Sequence, residues 1–312
     1  MVLPTHKLKR LFHGVCCFDM HDDYLVPRRF TPEIREKFED NPVFRIRSLS
    51  TGMVEMRFTT DADSFSFDYR LEEIVHRRTM DVYINDTIDS IVSLDEFPDE
   101  RRFTCSLPEG TKKVCVCLPC YCCMTVRNFE VNGMIRAVPK PRTKVLWIGD
   151  SITQGSSEIS SLAYVGLCRR KLGWNVLDQG IGGVSYDERL IMEIPGFKPD
   201  KIIVALGTNS CKAADFAERA EEFYAKLASV YPQTKILAIT PLWRGDAYAD
   251  YLTKGAEAVR AICARFDNVD VVDGFSLVPH PAQFFIDGTH PTELGMTYYA
   301  ENLMAAIRKL RF

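Results

Sequence analysis

The sequence lacks several features that would point to particular classes of protein. It contains no uninterrupted apolar run of about 18 residues, so no membrane-spanning helix is expected. The basic residues near its N-terminus are not followed by an apolar run of signal-peptide length, which predicts a cytoplasmic protein with reduced thiols. Neither sign of charge is in large excess: 39 basic residues stand against 42 acidic ones, whereas proteins devoted to nucleic acid usually carry a strong basic excess. Without repeats or low-complexity tracts, the 312 residues predict a globular chain of roughly two domains.

Cysteine, by contrast, is plentiful. Eight of the 11 cysteines lie in the first 140 residues, and five of these fall within Cys115–Cys123. Cys117 and Cys120 form a C-x-x-C pair, which raises the hypothesis of a metal or redox module. Zinc sites usually need a second ligand pair at a defined spacing, and the only other close pair, Cys16–Cys17, is remote in sequence. The alternation in this segment favours a buried strand in which cysteine acts as a small hydrophobic residue.

The first half of the chain is rich in short β-type runs separated by turn-forming residues. Many short strands at close spacing are typical of an all-β sandwich or jelly roll. The predicted strands are 44–50, 54–60, 64–70, 80–86, 103–107, 113–118 and 125–131. Before them, residues 31–40 predict one short helix.

Two prolines, at 139 and 141, interrupt this pattern and predict a linker between domains 1–140 and 141–312. Beyond the linker, continuous apolar strands alternate with helical segments, which predicts an α/β fold with a parallel sheet covered on both faces. Strands are predicted at 144–150, 175–178, 201–207, 235–240 and 269–273, and helices at 161–172, 185–193, 213–230, 247–265 and 293–310. Ligands of such folds bind at the carboxyl ends of the strands.

Four polar or glycine-rich segments follow predicted strands, where they would meet along one edge of the sheet. They are Gly149–Gly155 (GDSITQG), Gly180–Gly183 (GIGG), Gly207–Asn209 (GTN) and Asp287–Pro291 (DGTHP). In this order they resemble the signature blocks of the SGNH, or GDSL-type, hydrolases. The resemblance covers residues 143–312. The β-rich first half is similar in layout to the jelly-roll domain that precedes the catalytic domain in carbohydrate esterase family 2.

This resemblance implies a flavodoxin-like three-layer α/β/α hydrolase domain preceded by an all-β sandwich. It also implies roles for individual residues. Ser151 corresponds to the nucleophile, and Asp287 and His290 to the acid–base pair. The oxyanion hole would comprise the Ser151 and Gly183 backbone N–H groups and the Asn209 side-chain amide.

The chemistry of these residues agrees with those roles. A serine hydroxyl is a weak nucleophile that needs an adjacent base, and histidine supplies such a base near neutral pH. Asp287, three residues before His290, could accept the ring Nδ1–H in a tight turn. Purely structural roles remain open, since Ser151 and Asn209 could cap helices. Asp150 is expected to be structural, and His280 to be a loop residue.

The sequence therefore predicts a serine esterase that removes a short acyl group, acetyl foremost, from a small molecule or carbohydrate. Trp243 and Arg244, which follow the fourth strand of the second domain, are tentative substrate-binding residues. No metal or organic cofactor, nucleic acid or membrane partner is predicted. The alternatives are a lysophospholipase or thioesterase-type acylhydrolase and a catalytically silent carbohydrate-binding protein. The acyl group, the alcohol and the oligomeric state are not predicted.

Overall fold

A computed structural model describes residues 1–245 and 249–312. Its α-helices are α1 (Thr5–Leu8), α2 (Pro32–Glu36), α3 (Pro42–Leu49), α4 (Ser151–Gln154), α5 (Tyr164–Leu172), α6 (Phe216–Val230), α7 (Ala249–Cys263) and α8 (Glu293–Leu310). Within the described ranges, none of these helices is both long enough and apolar enough to cross a membrane.

The N-terminal region is built from antiparallel strands: β1 (Phe12–His13), β2 (Cys17–His21), β3 (Tyr24–Arg28), β4 (Glu55–Thr60), β5 (Ser64–Glu72), β6 (Thr79–Ile84), β7 (Thr87–Ser93), β8 (Glu100–Ser106), β9 (Lys112–Cys117), β10 (Cys123–Val131) and β11 (Ile135–Ala137). One sheet has the order β1-β4-β9-β6-β7, with β11 also paired to β4, and the other has the order β2-β3-β10-β5-β8. Phe58 of the first sheet packs edge-on against Phe65 and Phe129 of the second, at ring-centroid distances of 5.3 and 5.5 Å. The predicted all-β sandwich is confirmed.

The C-terminal region contains five parallel strands: β12 (Lys144–Gly149), β13 (Asn175–Gly180), β14 (Lys201–Ala205), β15 (Lys235–Ile239) and β16 (Val269–Val272). Their order in the sheet is β13-β12-β14-β15-β16, which is the flavodoxin-like arrangement. Consecutive residues of β12 face opposite sides of the sheet. Trp147 packs with residues of α5 and α8, and Ile148 packs with residues of α6 and α7. The predicted α/β/α layering is confirmed.

The register of this sheet aligns the strand ends that precede the predicted motifs. Gly149 of β12 lies opposite Gly180 of β13 on one side and Ala205 of β14 on the other. The loops that follow these three strands therefore start at the same level of the sheet. This places residues after 149, 180 and 205 along a single edge.

Some predicted elements were wrong. In the segment 44–50, predicted as a strand, residues 44–49 belong to helix α3, because the Asn41 side chain accepts the Phe44 N–H (3.2 Å) and Pro42 starts the first turn. The predicted helix 185–193 is only a short 3-10 turn, Glu188–Leu190. The predicted helix 31–40 shrinks to α2, and the predicted helix 247–265 begins partly outside the described residues.

Helix α2 and the residues that flank it join the two regions. Phe30, Ile34 and Phe38 are fully buried in the same cluster as Ile148 and Leu177 of the parallel sheet. The chain before residue 140 therefore contributes to the core of the α/β region as well as to the sandwich. The division into domains 1–140 and 141–312 stays a prediction.

Candidate active site

Ser151 begins helix α4 directly after β12. The Asp150 carboxylate caps this helix by accepting the Ile152 N–H at 3.0 Å. A Cβ on Gly149 would lie 2.0 Å from Thr153 Oγ1, so the sharp turn from strand to helix requires glycine there. This turn presents the Ser151 hydroxyl at the carboxyl edge of the sheet.

His290 lies beside that hydroxyl. Its Nε2 atom is 2.8 Å from Ser151 Oγ, and its Nδ1 atom is 2.7 Å from Asp287 Oδ2. With a proton on Nδ1, the ring donates to Asp287 and can accept the Ser151 hydroxyl proton at Nε2. The structure thus brings the three residues together in one hydrogen-bonded series.

The loop that carries Asp287 and His290 is closed by its own backbone. The Ile286 N–H donates to the His290 carbonyl at 2.8 Å. Asp287 Oδ1 accepts the N–H groups of Thr289 (3.0 Å) and His290 (2.8 Å). Partial burial raises the pKa of Asp287, but the hydrogen bonds from the His290 backbone and ring and from the Thr289 N–H lower it to about 2. The carboxylate is therefore ionised at neutral pH, as a partner for an imidazolium must be.

Gly183 and Asn209 reach the same place from the second and third loops. Gly183 has a φ of +83°, a conformation that favours glycine. The Asn209 amide nitrogen donates to the Val184 carbonyl at 3.1 Å and lies 3.4 Å from Asp150 Oδ2. These contacts tie the third loop to the first two and hold the amide beside Ser151 and Gly183, which line the same cavity.

Burial governs the behaviour of Asp150. Its side chain is 3% exposed. Burial raises its pKa to about 6, against the opposing effects of the Ile152 N–H and the His290 and Arg244 charges. Asp150 caps α4 and does not contact His290 by hydrogen bond within the described residues, in line with the structural role expected from the sequence.

These groups line a cavity of about 310 Å³. Its lining includes side chains that the sequence did not predict, because they come from the N-terminal region: Arg47 of α3, His76 and Arg78 of the loop between β5 and β6, and Tyr121 of the loop between β9 and β10. The cavity lining as a whole is Arg47, His76, Arg78, Tyr121, Ser151, Ser156, Gly183, Asn209, Ile286, Asp287 and His290.

Trp243 and Arg244 are not part of that lining among the described residues. The Trp243 ring stacks on His280 at a centroid distance of 4.6 Å and also contacts Phe285. Arg244 donates to the Thr208 carbonyl at 3.2 Å. Both residues pack beside the loops that carry the predicted site residues, and their direct contact with substrate stays a prediction.

The cysteines of the segment Cys115–Cys123 do not all lie together. Cys117 packs beside Cys115 and Glu55, and these three form a group whose potential ligand atoms lie within 4.8 Å of one another. Cys120 Sγ instead contacts the Ser160 carbonyl at 3.7 Å. The carboxylate of Glu55 already pairs with guanidinium groups, those of Arg57, Arg169 and Arg170. Three positive charges disfavour a cation there, so these residues do not fit a metal site.

Known proteins resemble this chain in part of its sequence and in its fold. Residues 147–298 match the model of the GDSL-like lipase/acylhydrolase family. No curated protein matches the sequence.

Solved structures resemble the whole fold at low sequence identity. The salicylyl-acyltransferase SsfX3 from a tetracycline biosynthetic pathway has a TM-score of 0.77 and 18% identity, covering 95% of this chain and 94% of its own. A GDSL-like lipase from Bacteroides ovatus has a TM-score of 0.77 and 16% identity, covering 99% and 97%. A family two carbohydrate esterase from Clostridium thermocellum, solved with cellohexaose, has a TM-score of 0.69 and 16% identity, covering 83% and 93%. The β sandwich and the α/β region therefore occur together in other proteins.

Proposed function

We propose that the chain, a carboxylic ester hydrolase by class, acts as a serine esterase with Ser151 as its nucleophile. This agrees with the match of residues 147–298 to the model of the GDSL-like lipase/acylhydrolase family. The observation that carries the proposal is the series Asp287–His290–Ser151, with contacts of 2.7 and 2.8 Å, at the wall of a cavity. The leaving group would be the alcohol of a small molecule or carbohydrate, and the acyl group would be short, such as acetyl.

In the first half of the reaction, Ser151 Oγ forms a bond to the ester carbonyl carbon. His290 Nε2 takes the hydroxyl proton, and Asp287 stabilises the resulting imidazolium. The carbonyl oxygen of the tetrahedral intermediate accepts hydrogen bonds from the Ser151 and Gly183 N–H groups and the Asn209 amide. The bond to the alcohol oxygen then breaks, and Nε2 returns the proton to that oxygen as the alcohol leaves.

The second half repeats these steps with water. His290 Nε2 takes a proton from the water as its oxygen attacks the Ser151 acyl ester. The same donors face the new oxyanion. Collapse breaks the bond to Ser151 Oγ, which recovers its proton from Nε2 and releases the carboxylic acid. No step requires a metal or an organic cofactor.

The size of the cavity supports a small substrate. At about 310 Å³ it lies at the lower end of the range for small-molecule sites, which does not suit the long acyl chain of a lysophospholipid. The resemblance to carbohydrate esterases supports an acetylated sugar as one candidate class. A catalytically silent sugar-binding protein would have no need of the hydrogen-bonded series at Ser151.

The direct test is hydrolysis of p-nitrophenyl acetate by the wild type and Ser151→Ala. Removal of the nucleophile should lower kcat by about 10³-fold or more. Ser156→Ala is the matched control, because Ser156 lines the same cavity and its hydroxyl contacts none of the described residues by hydrogen bond. Equal rates for wild type and Ser151→Ala, with or without an effect of Ser156→Ala, would refute Ser151 as the nucleophile.

A further inference from the structure

Two arginines from the N-terminal region line the cavity that holds Ser151. Arg47 lies near the end of α3, and Arg78 lies in the loop before β6. The chain has a formal net charge of −3, so a cationic cavity does not follow from a basic protein. Among the described residues, Asp287 is the only carboxylate in the lining, and it is engaged with His290.

Arg47 lies directly beside Gly183. Its Nη1 atom donates to the Gly182 carbonyl at 2.6 Å, and it would be 3.0 Å from a Cβ placed on Gly183. No carboxylate within the described residues pairs with this guanidinium. Its backbone is fixed, because the Arg47 carbonyl accepts Arg29 Nη2 at 3.2 Å and Ser50 Oγ at 2.9 Å. Arg47 thus holds a positive charge next to the proposed oxyanion site.

Arg78 is paired only loosely. Its nearest carboxylate, that of Glu158, is 3.7 Å away, longer than a hydrogen bond, and the Glu158 side chain is 69% exposed. Arg78 Nε is buried and has no hydrogen-bond partner among the described residues. The guanidinium carbon lies 5.9 Å from the centroid of the Tyr121 ring, whose hydroxyl donates to the Ser151 carbonyl at 3.2 Å. The charge of Arg78 is therefore available on the wall next to Ser151.

The positive charges of both guanidinium groups are felt at a third residue of the cavity, His76. His76, which also lines the cavity, has its pKa lowered by burial and further by the charges of Arg78 and then Arg47. A protonated His76 would add to a repulsion already present. A bound anion would relieve that repulsion.

We infer that Arg47 and Arg78 form a binding site for an anionic group of the substrate, so that the enzyme prefers esters that carry a carboxylate or phosphate. This inference rests on the proposed esterase function. Guanidinium groups match the planar geometry of carboxylate and phosphate and bind them through paired hydrogen bonds. With the reacting ester at Ser151 and the anion at the arginines, the two sites would fix both ends of one small molecule.

The test compares esters that differ only in charge. On the alcohol side, 4-acetoxybenzoate is compared with 4-acetoxybenzamide, and 4-acetoxyphenyl phosphate separates a phosphate preference from a carboxylate preference. On the acyl side, monoethyl succinate is compared with ethyl levulinate. The kcat/KM of each ester is divided by its rate constant for hydrolysis by hydroxide, which corrects for differences in the intrinsic reactivity of the esters. We expect kcat/KM to be about 10-fold or more higher for the anionic member of at least one pair, as charge-assisted hydrogen bonds allow.

Variants of Arg78 test whether that preference depends on this arginine. Arg78→Gln should lower the ratio of anionic to neutral kcat/KM by about 10-fold, and Arg78→Lys, which keeps the charge, should retain more of it. Arg77→Gln is the matched control: Arg77 is the sequence neighbour, does not line the cavity, and pairs with Asp99. Its ratio should equal that of the wild type. Thermal unfolding verifies that each variant is folded.

A binding measurement separates this inference from the esterase proposal. Calorimetric titration of Ser151→Ala with 4-acetoxybenzoate and 4-acetoxybenzamide should give tighter binding of the anion, lost in the Ser151→Ala/Arg78→Gln double variant. Anion preference without hydrolysis by the wild type would overturn the esterase and leave the anion site. Hydrolysis that depends on Ser151, with no preference for the anion in any pair or with a ratio that Arg78→Gln leaves unchanged, would overturn the anion site alone.

Discussion

The two walls of the cavity differ in origin and in chemistry. Ser151, Gly183, Asn209 and His290 lie in segments that follow strands of the parallel sheet, and hydrogen bonds of 2.7–3.1 Å hold this wall together. Arg47, His76, Arg78 and Tyr121 come from the N-terminal region, and the two arginines carry positive charge with few carboxylate partners. Separate parts of the chain can therefore set the bond-breaking step and the choice of ester. Substitutions in the first wall should then slow all esters alike, and substitutions in the second should change which ester is preferred.

Among changes that leave Ser151, His290 and Asp287 in place, Asn209→Ala is expected to have the largest effect. Loss of one oxyanion donor typically lowers kcat by about 10²–10³-fold. Because the oxyanion is common to every ester, anionic and neutral substrates should be slowed by the same factor, with little change in KM. Steady-state kinetics on a charged and a neutral acetyl ester measures this. A change in the ratio between them greater than about threefold would contradict the separation of the two walls.

Asp150, which caps the helix that begins at Ser151, makes the stability of the folded protein depend on pH. Its pKa is raised from 3.8 to about 6, mainly by burial, so the folded protein holds this proton more tightly than the unfolded chain does. Its contribution to stability is therefore greatest below about pH 4 and is lost as the pH rises through about 6. Asp150→Asn, which can still cap α4, removes this dependence.

We therefore expect the free energy of unfolding of Asp150→Asn, relative to wild type, to increase between pH 4 and pH 6 and to level off above. Urea unfolding across this range measures the difference. Asp267→Asn, in an exposed turn, is the matched control for loss of a carboxylate. A relative stability of Asp150→Asn that is flat or falls over this range would contradict the burial of an ionisable Asp150.

The first wall could be predicted from sequence because its residues follow strand ends in short, ordered motifs. The continuous apolar strands indicated where the segments carrying Ser151, Gly183 and Asn209 would start. The parallel register of the strands then places these segments at the same edge of the sheet. Helix α3, which carries Arg47, was predicted as a strand because Phe44 and Ile46 alternate with arginines. The Asn41 cap and Pro42 were the local signals that identified a helix.

The second wall could not be predicted, because it exists only through packing between distant segments. Arg78 and Tyr121 lie in loops of the sandwich, and Arg47 reaches the cavity because α2 and the preceding Phe30 pack on the parallel sheet. The buried ion pair of Arg29 with Asp178, at 2.9 Å, joins the same two regions. Neither the spacing nor the composition of these segments carries a sign of such contacts.

The central claim is that Ser151 is a nucleophile activated by His290. Intact-protein mass spectrometry after treatment with a fluorophosphonate tests it most directly, because the reagent bonds covalently to an activated serine. The account predicts one adduct per chain, located on Ser151 by peptide mapping, absent from Ser151→Ala and formed far more slowly in His290→Ala. An unlabelled wild type, or an adduct that persists in Ser151→Ala, would contradict the claim.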